Sequence, residues 1–185
     1  MTPKGLLDVW WDLNLPARWR AEIVRDGTIT VAPPVTLPHH VIADIVNRAL
    51  VSGTTADWGI FQTMGLVCRD SEKVYLPDLV VVRDDDLPKT DVTLVPAKLA
   101  TLVVEITSNG NADDDRTFKR RGYAAAPIPL YLLIDRWAQP GESVTLFAEP
   151  ADGDYQRRLQ VPFGDTVELP EPFGFAIETT EFPAR

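Results

Sequence analysis

Two apolar runs in this chain each carry an acid in their middle, and that limits what the chain can fold into. Residues 101–107 read TLVVEIT and residues 75–82 read YLPDLVVV. Leucine, valine and isoleucine around Glu105 predict a buried strand, and an ionised carboxylate is costly to take out of water unless something pairs with it. In an extended strand alternate residues share a face, so Val103, Glu105 and Thr107 lie opposite Leu102, Val104 and Ile106. In the earlier run Leu76, Asp78, Val80 and Val82 share a face, which gives Asp78 similar apolar company. Two desolvated acids that converge without a cation repel, and one pKa rises strongly; a divalent metal removes the repulsion. Magnesium suits such a site, since it takes a few hard oxygen ligands and keeps water in its other positions.

The rest of the chain predicts a mixed sheet carrying about three helices. A short amphipathic helix is expected over residues 4–13. Strands at 18–24 and 28–32 flank Asp26-Gly27, the signal for a tight two-residue hairpin. Helical spacing of Val41, Ile42, Ile45, Val46, Ala49 and Leu50 predicts a helix over 38–50, stopped by Gly53. Strand-like runs follow at 58–63, 65–69 and 75–83, then a solvated Asp84-Asp85-Asp86 loop before the strand of Glu105. Residues 112–126 place acids before bases, the order a helix dipole favours, so Asp113-Asp114-Asp115 is expected to be an N-terminal charge device. Further strands are expected at 131–135, 143–147 and 155–161, with turns at Pro140-Gly141 and Asp152-Gly153.

A chain of 185 residues is expected to form one domain over its whole length, with core enough to need no disulfide. No apolar stretch approaches the roughly 20 residues of a membrane span, and residues 1–13 do not resemble a secretory signal, so a cytoplasmic location is expected. The single cysteine, Cys68, has no neighbouring histidine or second cysteine and is expected to be a packed thiol. With 27 acids against 18 bases the net charge of −9 opposes non-specific adsorption to nucleic acid, although locally clustered bases or a homodimer groove would offset it. Trp10, Trp11 and Trp19 are expected in packing or subunit contacts rather than base stacking. His39 and His40 are adjacent and project to different sides of a helix, which argues against a two-histidine metal site. There is no phosphate-cradling glycine loop and no serine-histidine-acid set.

One further pattern adds chemistry to the two acids. Asp115, Lys119 and Tyr123 are spaced by four and stack along one helical face. A lysine near a metal-bound carboxylate pair would orient or help deprotonate an attacking water and stabilise charge on a pentavalent phosphate. Each of these residues also has a structural reading. Asp78 would cap a turn at a strand entrance, Glu105 would sit in a buried salt bridge, Lys119 would join Arg120 and Arg121 on a solvated face, and Glu22 would face water in a hairpin.

YLPDLVVV, then LVVEITS, then Asp115, Lys119 and Tyr123 at 10, 14 and 18 residues beyond the glutamate, then YLLID, together resemble the bacterial Uma-type restriction endonuclease domain of the PD-(D/E)xK superfamily. AEIVRDGTITVAPP, followed by a histidine and an amphipathic helix, is similar to the opening of that family, and the likeness covers about residues 20–161. The resemblance implies an α/β (α+β) fold, a restriction-endonuclease-like mixed sheet flanked by helices, and a Mg2+- or Mn2+-dependent endonuclease that hydrolyses phosphodiester bonds in nucleic acid, DNA in the first instance. It implies metal binding by Asp78 and Glu105, with Glu22 as a third ligand, and Lys119 standing in for the usual lysine, whose place two residues after the acid is held by Thr107. Asp115 and Tyr123 match the polar helix face that would support Lys119 by hydrogen bonding, and His39 matches the family's histidine near the cleft. Two loops depart from the pattern: Ser108, Asn109 and Gly110 replace serine-proline-serine, and Ala126, Pro127, Ile128 and Pro129 replace a glycine-valine-proline turn. These departures and the acidic charge leave a second reading, a catalytically inactive module on the nuclease scaffold, and a third, hydrolysis of a smaller phosphodiester.

Overall fold

The computed structural model describes residues 5–55 and 57–185. Its elements in chain order are helix α1 (Leu6–Trp11), strands β1 (Arg20–Glu22) and β2 (Thr30–Ala32), helix α2 (Leu37–Gly53), and strands β3 (Trp58–Gln62), β4 (Gly65–Cys68), β5 (Lys73–Tyr75), β6 (Leu79–Arg83), β7 (Leu94–Pro96) and β8 (Ala100–Ile106). A π-helical stretch (Asp114–Lys119) then runs into helix α3 (Arg120–Ala125), followed by β9 (Leu130–Asp135), β10 (Ser143–Ala151), β11 (Asp154–Pro162), β12 (Thr166–Glu168) and β13 (Ala176–Glu178). Six strands form the central sheet in the order β11-β10-β9-β8-β6-β3, and β8 with β9 is its parallel pair. The helical crossover needed between two parallel strands is the segment that carries Lys119.

Burial on both faces explains why β8 and β9 are apolar at nearly every position. On one face Ile42, Val46 and Leu50 of α2 pack with Leu102, Val104, Ile106, Leu132 and Ile134, and the C-terminal segment adds Phe173 and Phe182. On the other, Tyr123 and Ala124 of α3 pack with Val80, Val82, Val103, Tyr131 and Leu133. The predicted alternation along β8 is therefore what forms, with Glu105 and Thr107 pointing to the α3 face. A smaller sheet, β5-β4-β7, continues this second layer.

Several sequence expectations change in detail. Lys4 lies outside the described residues, and helix α1 begins at Leu6. Residues 75–83 do not form one strand: Leu76, Pro77 and Asp78 interrupt it, because proline cannot donate to a ladder. Asp26-Gly27 does not make a two-residue hairpin. Glu22 pairs with Thr30, leaving a long connection, because Ile23 pairs with Val74 of β5 instead (N–O distances of 2.8 and 3.2 Å). Asp152-Gly153 does make the tight turn, joining the paired residues Ala151 and Asp154 with φ of 53° and 76°.

The acidic loop Asp84–Asp86 is an exposed single turn, as expected. Trp10 packs near Ile23 and donates its indole N–H to the Ala21 carbonyl at 2.7 Å, while Trp11 and Trp19 remain exposed. Cys68 is a half-buried free thiol whose pKa burial pushes up to about 11, which makes it inert at neutral pH. No helix among the described residues is long and apolar enough to cross a membrane.

Candidate functional site

Strand register creates the site. Leu79 pairs with Val104, so one further step along the ladder sets Asp78 opposite Glu105 where β6 begins. Facing residues on antiparallel strands project to the same side, and both carboxylates enter a cavity of about 310 Å³ that Arg20, Glu22, His39 and Lys119 also line. Asp78 is 7% exposed and Glu105 3%. At this depth each needs protein partners.

The partner of Glu105 is Lys119. The ammonium lies 2.9 Å from Glu105 Oε1, 3.0 Å from Glu22 Oε1 and 3.3 Å from Asp115 Oδ1. Tyr123 donates its phenolic O–H to the same Glu105 oxygen, so it supports the acid and not, as expected, the lysine. Glu22 Oε1 also accepts the Leu76 N–H at 2.7 Å, which ties β1 to the break between β5 and β6. Lys119 is thus no part of a solvated face; it is 2% exposed.

One ammonium among three acids cannot neutralise them all. Burial opposes the charge on Lys119, yet Glu105, Glu22 and Asp115 outweigh it and hold its pKa well above the ordinary lysine value. Burial, reinforced by the charges on Asp115, Glu22 and Asp78 against the pull of Lys119, pushes the Glu105 carboxyl well up. Asp115, 1% exposed and 3.3 Å from Lys119, is pushed by burial up to about 7 against the pull of that ammonium. Asp78 behaves oppositely. Burial alone would raise it, but His39 Nε2 at 2.9 Å, Arg20 Nη1 at 3.2 Å and the Ile106 N–H at 2.8 Å together hold it below the ordinary aspartate value.

The π-helical stretch replaces the uniform helix expected over 112–126, and π turns recur at functional sites. Asp114 and Asp115 stand in its first turn after Asp113, as a helix dipole favours, but each of the three meets a different cation. Asp113 is exposed and meets Arg116 at 3.0 Å, Asp114 is buried against Arg25 at 2.6 Å, and Asp115 turns inward to Lys119. Arg116 grips Asp135 at the end of β9 with a two-pronged contact of 2.7 and 3.0 Å, which fixes the segment against the sheet. Thr107, where the superfamily's usual lysine would stand, is fully buried, donates to Asp135 at 3.1 Å and accepts the Arg136 N–H at 3.0 Å.

His39 enters the site and His40 remains exposed. Arg20 was not foreseen, although alternation carries the signal: Arg20 and Glu22 are two apart on β1, so if one faces the cavity so does the other. Tyr131, whose hydroxyl donates to the Asp115 carbonyl at 3.0 Å, and Tyr75 were also missed. Their rings meet that of Tyr123 edge-on, at centroid distances of 5.1 Å for Tyr131 and 4.9 Å for Tyr75.

A mixed sheet that brings an aspartate, a glutamate and a crossover lysine to one cavity defines a restriction-endonuclease-like, nuclease-type fold. The family described as "Uma2: Putative restriction endonuclease" matches residues 11–180, and the chain belongs to it. Among solved structures, a "putative nuclease belonging to DUF820" from Anabaena variabilis is similar at 16% identity with a TM-score of 0.71, covering 92% of this chain and 94% of its own. No curated protein matches.

Whether the residues fit a metal is answered by their chemistry. Asp78 and Glu105 offer hard oxygen donors and face each other, which suits a cation held by one or two carboxylates with water in its other positions. A preformed cage is a different matter. Among the described residues no group of three or more histidine, cysteine, aspartate or glutamate side chains is placed to hold a metal, and Glu22 is taken by Leu76 and Lys119.

Proposed function

We propose that the protein is a metal-dependent nuclease that hydrolyses phosphodiester bonds, with DNA as substrate and Mg2+ or Mn2+ as cofactor. The observation that carries this reading is the meeting of Asp78, Glu105 and Lys119, from three separate segments, in one cavity. Asp78 and Glu105 would hold the ion. When bound, it would polarise a phosphate oxygen and lower the pKa of its water. Asp78, kept ionised by His39 and Arg20, supplies a fixed negative ligand. Glu105, whose carboxyl pKa is held above the ordinary range by burial, would bind the ion in its ionised form.

Lys119 is held protonated by its three acids, which fits stabilising charge on the pentavalent phosphate and orienting water, and leaves deprotonation of that water to other groups. Arg20 sits on the same cavity wall and would contact a non-bridging phosphate oxygen. Asp115 positions Lys119 and touches no reacting atom.

The test is cleavage of single- and double-stranded DNA and of RNA with manganese, comparing the wild type with Glu105→Gln. This change keeps an acceptor for Tyr123 and removes the charge. Loss of cleavage with an unchanged circular dichroism spectrum is expected; an equal rate would end the assignment. A second reading, a non-catalytic module on the same scaffold, is favoured by one observation: both central acids already have protein partners, Lys119 and Tyr123 for one, Arg20 and His39 for the other. Calorimetric titration with manganese separates the two, because a retired site takes up no metal.

A further inference from the structure

Beyond the cavity of Glu105 lies a groove of about 420 Å³ on the outer flank of the crossover helix, and Trp137 stands in the walls of both. Three arginines line this groove: Arg116 and Arg120 from the crossover and Arg158 from β11. Asp135 is the one acid in its wall. The groove wall thus carries three guanidinium groups against one carboxylate, with Asp113 and Asp154 pairing to Arg116 and Arg120 from outside it, and it adjoins the proposed phosphodiester site.

The cations differ in how firmly they are held. Asp135 holds Arg116, and Asp154 meets Arg120 at 2.7 Å from outside the groove wall. Arg158 has no carboxylate partner among the described residues; it is exposed, bonds Gln160 and lies 6.0 Å from the centre of the buried Phe147 ring. The Arg185 guanidinium lies 5.2 Å from the Trp137 ring centre, adding positive charge at the threshold. Arg120 Nε and Trp137 Nε1 find no acceptor among the described residues. The Trp137 indole can therefore turn towards an incoming acceptor without breaking a hydrogen bond of its own, while Arg120 has Nε to offer with its other end held by Asp154. Arginine and tryptophan are donors only, and the backbone of a polynucleotide presents acceptor oxygens at regular spacing.

We propose that this groove carries the strand flanking the scissile phosphate, so that an unpaired polynucleotide runs from the Glu105 cavity past Trp137 and along Arg116, Arg120 and Arg158. The proposal rests on the nuclease reading for its direction but on the groove's own charge for its binding. Two small cavities meeting at one side chain suit a single strand, which threads between walls that a paired helix would only overlie.

The experiment is fluorescence anisotropy with labelled dT15, labelled dT2 and a labelled 15-base-pair duplex, over a range of salt in EDTA, so that no cleavage occurs. Arg158→Glu is compared with Arg157→Glu, which makes the same charge change on the neighbouring residue, outside the groove and paired with Glu149. Arg158→Glu is expected to weaken dT15 by about tenfold and to lower the salt slope by about one, with little effect on dT2. Arg157→Glu is expected to change dT15 binding by less than about twofold. Equal effects of the two variants, no effect of either, no dT15 binding by the wild type, or a duplex bound as tightly as dT15 would each overturn the proposal. Hydrolysis of bis(p-nitrophenyl) phosphate, which needs only the Glu105 cavity, is measured separately with manganese in place of EDTA. A wild type inactive on it that still binds dT15 through Arg158 sinks the nuclease reading and sustains the groove.

Discussion

Lys119 Nζ lies 2.9 Å from Glu105 Oε1, and the two residues are 2% and 3% exposed. The superfamily arrangement sets acid and lysine two residues apart on one strand; here a helix delivers the lysine from across the crossover. The pair is therefore a tertiary contact between crossover and sheet. Replacing Lys119 by alanine removes the only cation within ion-pair distance of Glu105 and Asp115 among the described residues, and leaves buried carboxylates uncompensated. Breaking a buried pair by removing one partner costs about 3–5 kcal/mol. Chemical denaturation of Lys119→Ala should show a loss of that order, and Lys119→Ala combined with Glu105→Gln should recover part of it. A Lys119→Ala variant as stable as the wild type would mean that the ammonium is not buried among these acids.

Asp115 supplies a pH signature. Its pKa rises from 3.8 to about 7 in the folded protein, with burial as the main cause. A group whose folded pKa is raised gives stability that is complete below its unfolded value and is lost as pH climbs through the folded value. The wild type should accordingly lose stability between about pH 4 and pH 7 through this group. Asp115→Asn should flatten that part of the profile, so that the variant melts higher than the wild type at pH 8 and nearly level with it at pH 4. Parallel melting profiles for the two proteins across this range would contradict the assignment.

Asp78 and Glu105 were legible because each broke an apolar run, and β8 places Glu105 on the face of Val103, as alternation predicts. What the sequence could not show is who competes for a segment. Asp26-Gly27 and Asp152-Gly153 are the same dipeptide, yet only the second turns tightly, because Ile23 pairs with Val74 while β10 and β11 pair with each other right up to Ala151 and Asp154. Asp113, Asp114 and Asp115 looked alike as a charge run, and three different cations separate them in space. Long-range pairing of this kind leaves no periodic trace. Arg20 was the exception, readable from its spacing to Glu22 once Glu22 was taken to face the cleft.

Thr107 tests how the lysine's usual place is used. Its hydroxyl donates to Asp135 and accepts from the Arg136 backbone, and so links the ends of β8 and β9 beside the site. Thr107→Val keeps the shape and leaves the Arg136 N–H without its acceptor, while Asp135 loses one donor and keeps Arg116 and the Trp137 N–H. Leaving a buried group unsatisfied costs about 1–3 kcal/mol. A loss of that size in urea denaturation is expected, together with reduced cleavage, since Asp135 is also the anchor of Arg116 at the start of the lysine-bearing segment. A neutral Thr107→Val would show that the position is merely filled.

Gly122 explains how the helix comes close enough for Lys119 to reach. A Cβ built there would fall 2.0 Å from the Tyr75 hydroxyl, and Tyr75 is 1% exposed with its ring against Tyr123. Gly122→Ala gains helix propensity of about 1 kcal/mol, a benefit seen when the site is open to water. Here it forces Tyr75 and the helix apart, and overpacking a tight core costs about 1–3 kcal/mol. Lys119 and Tyr123 lie within one turn of Gly122 on the same crossover, so the change should lower both melting temperature and cleavage. Gly122→Ala combined with Tyr75→Phe, which removes the obstructing oxygen, should restore part of each. If Gly122→Ala proves stabilising on its own, the close approach of the helix to Tyr75 is not what sets the depth of Lys119.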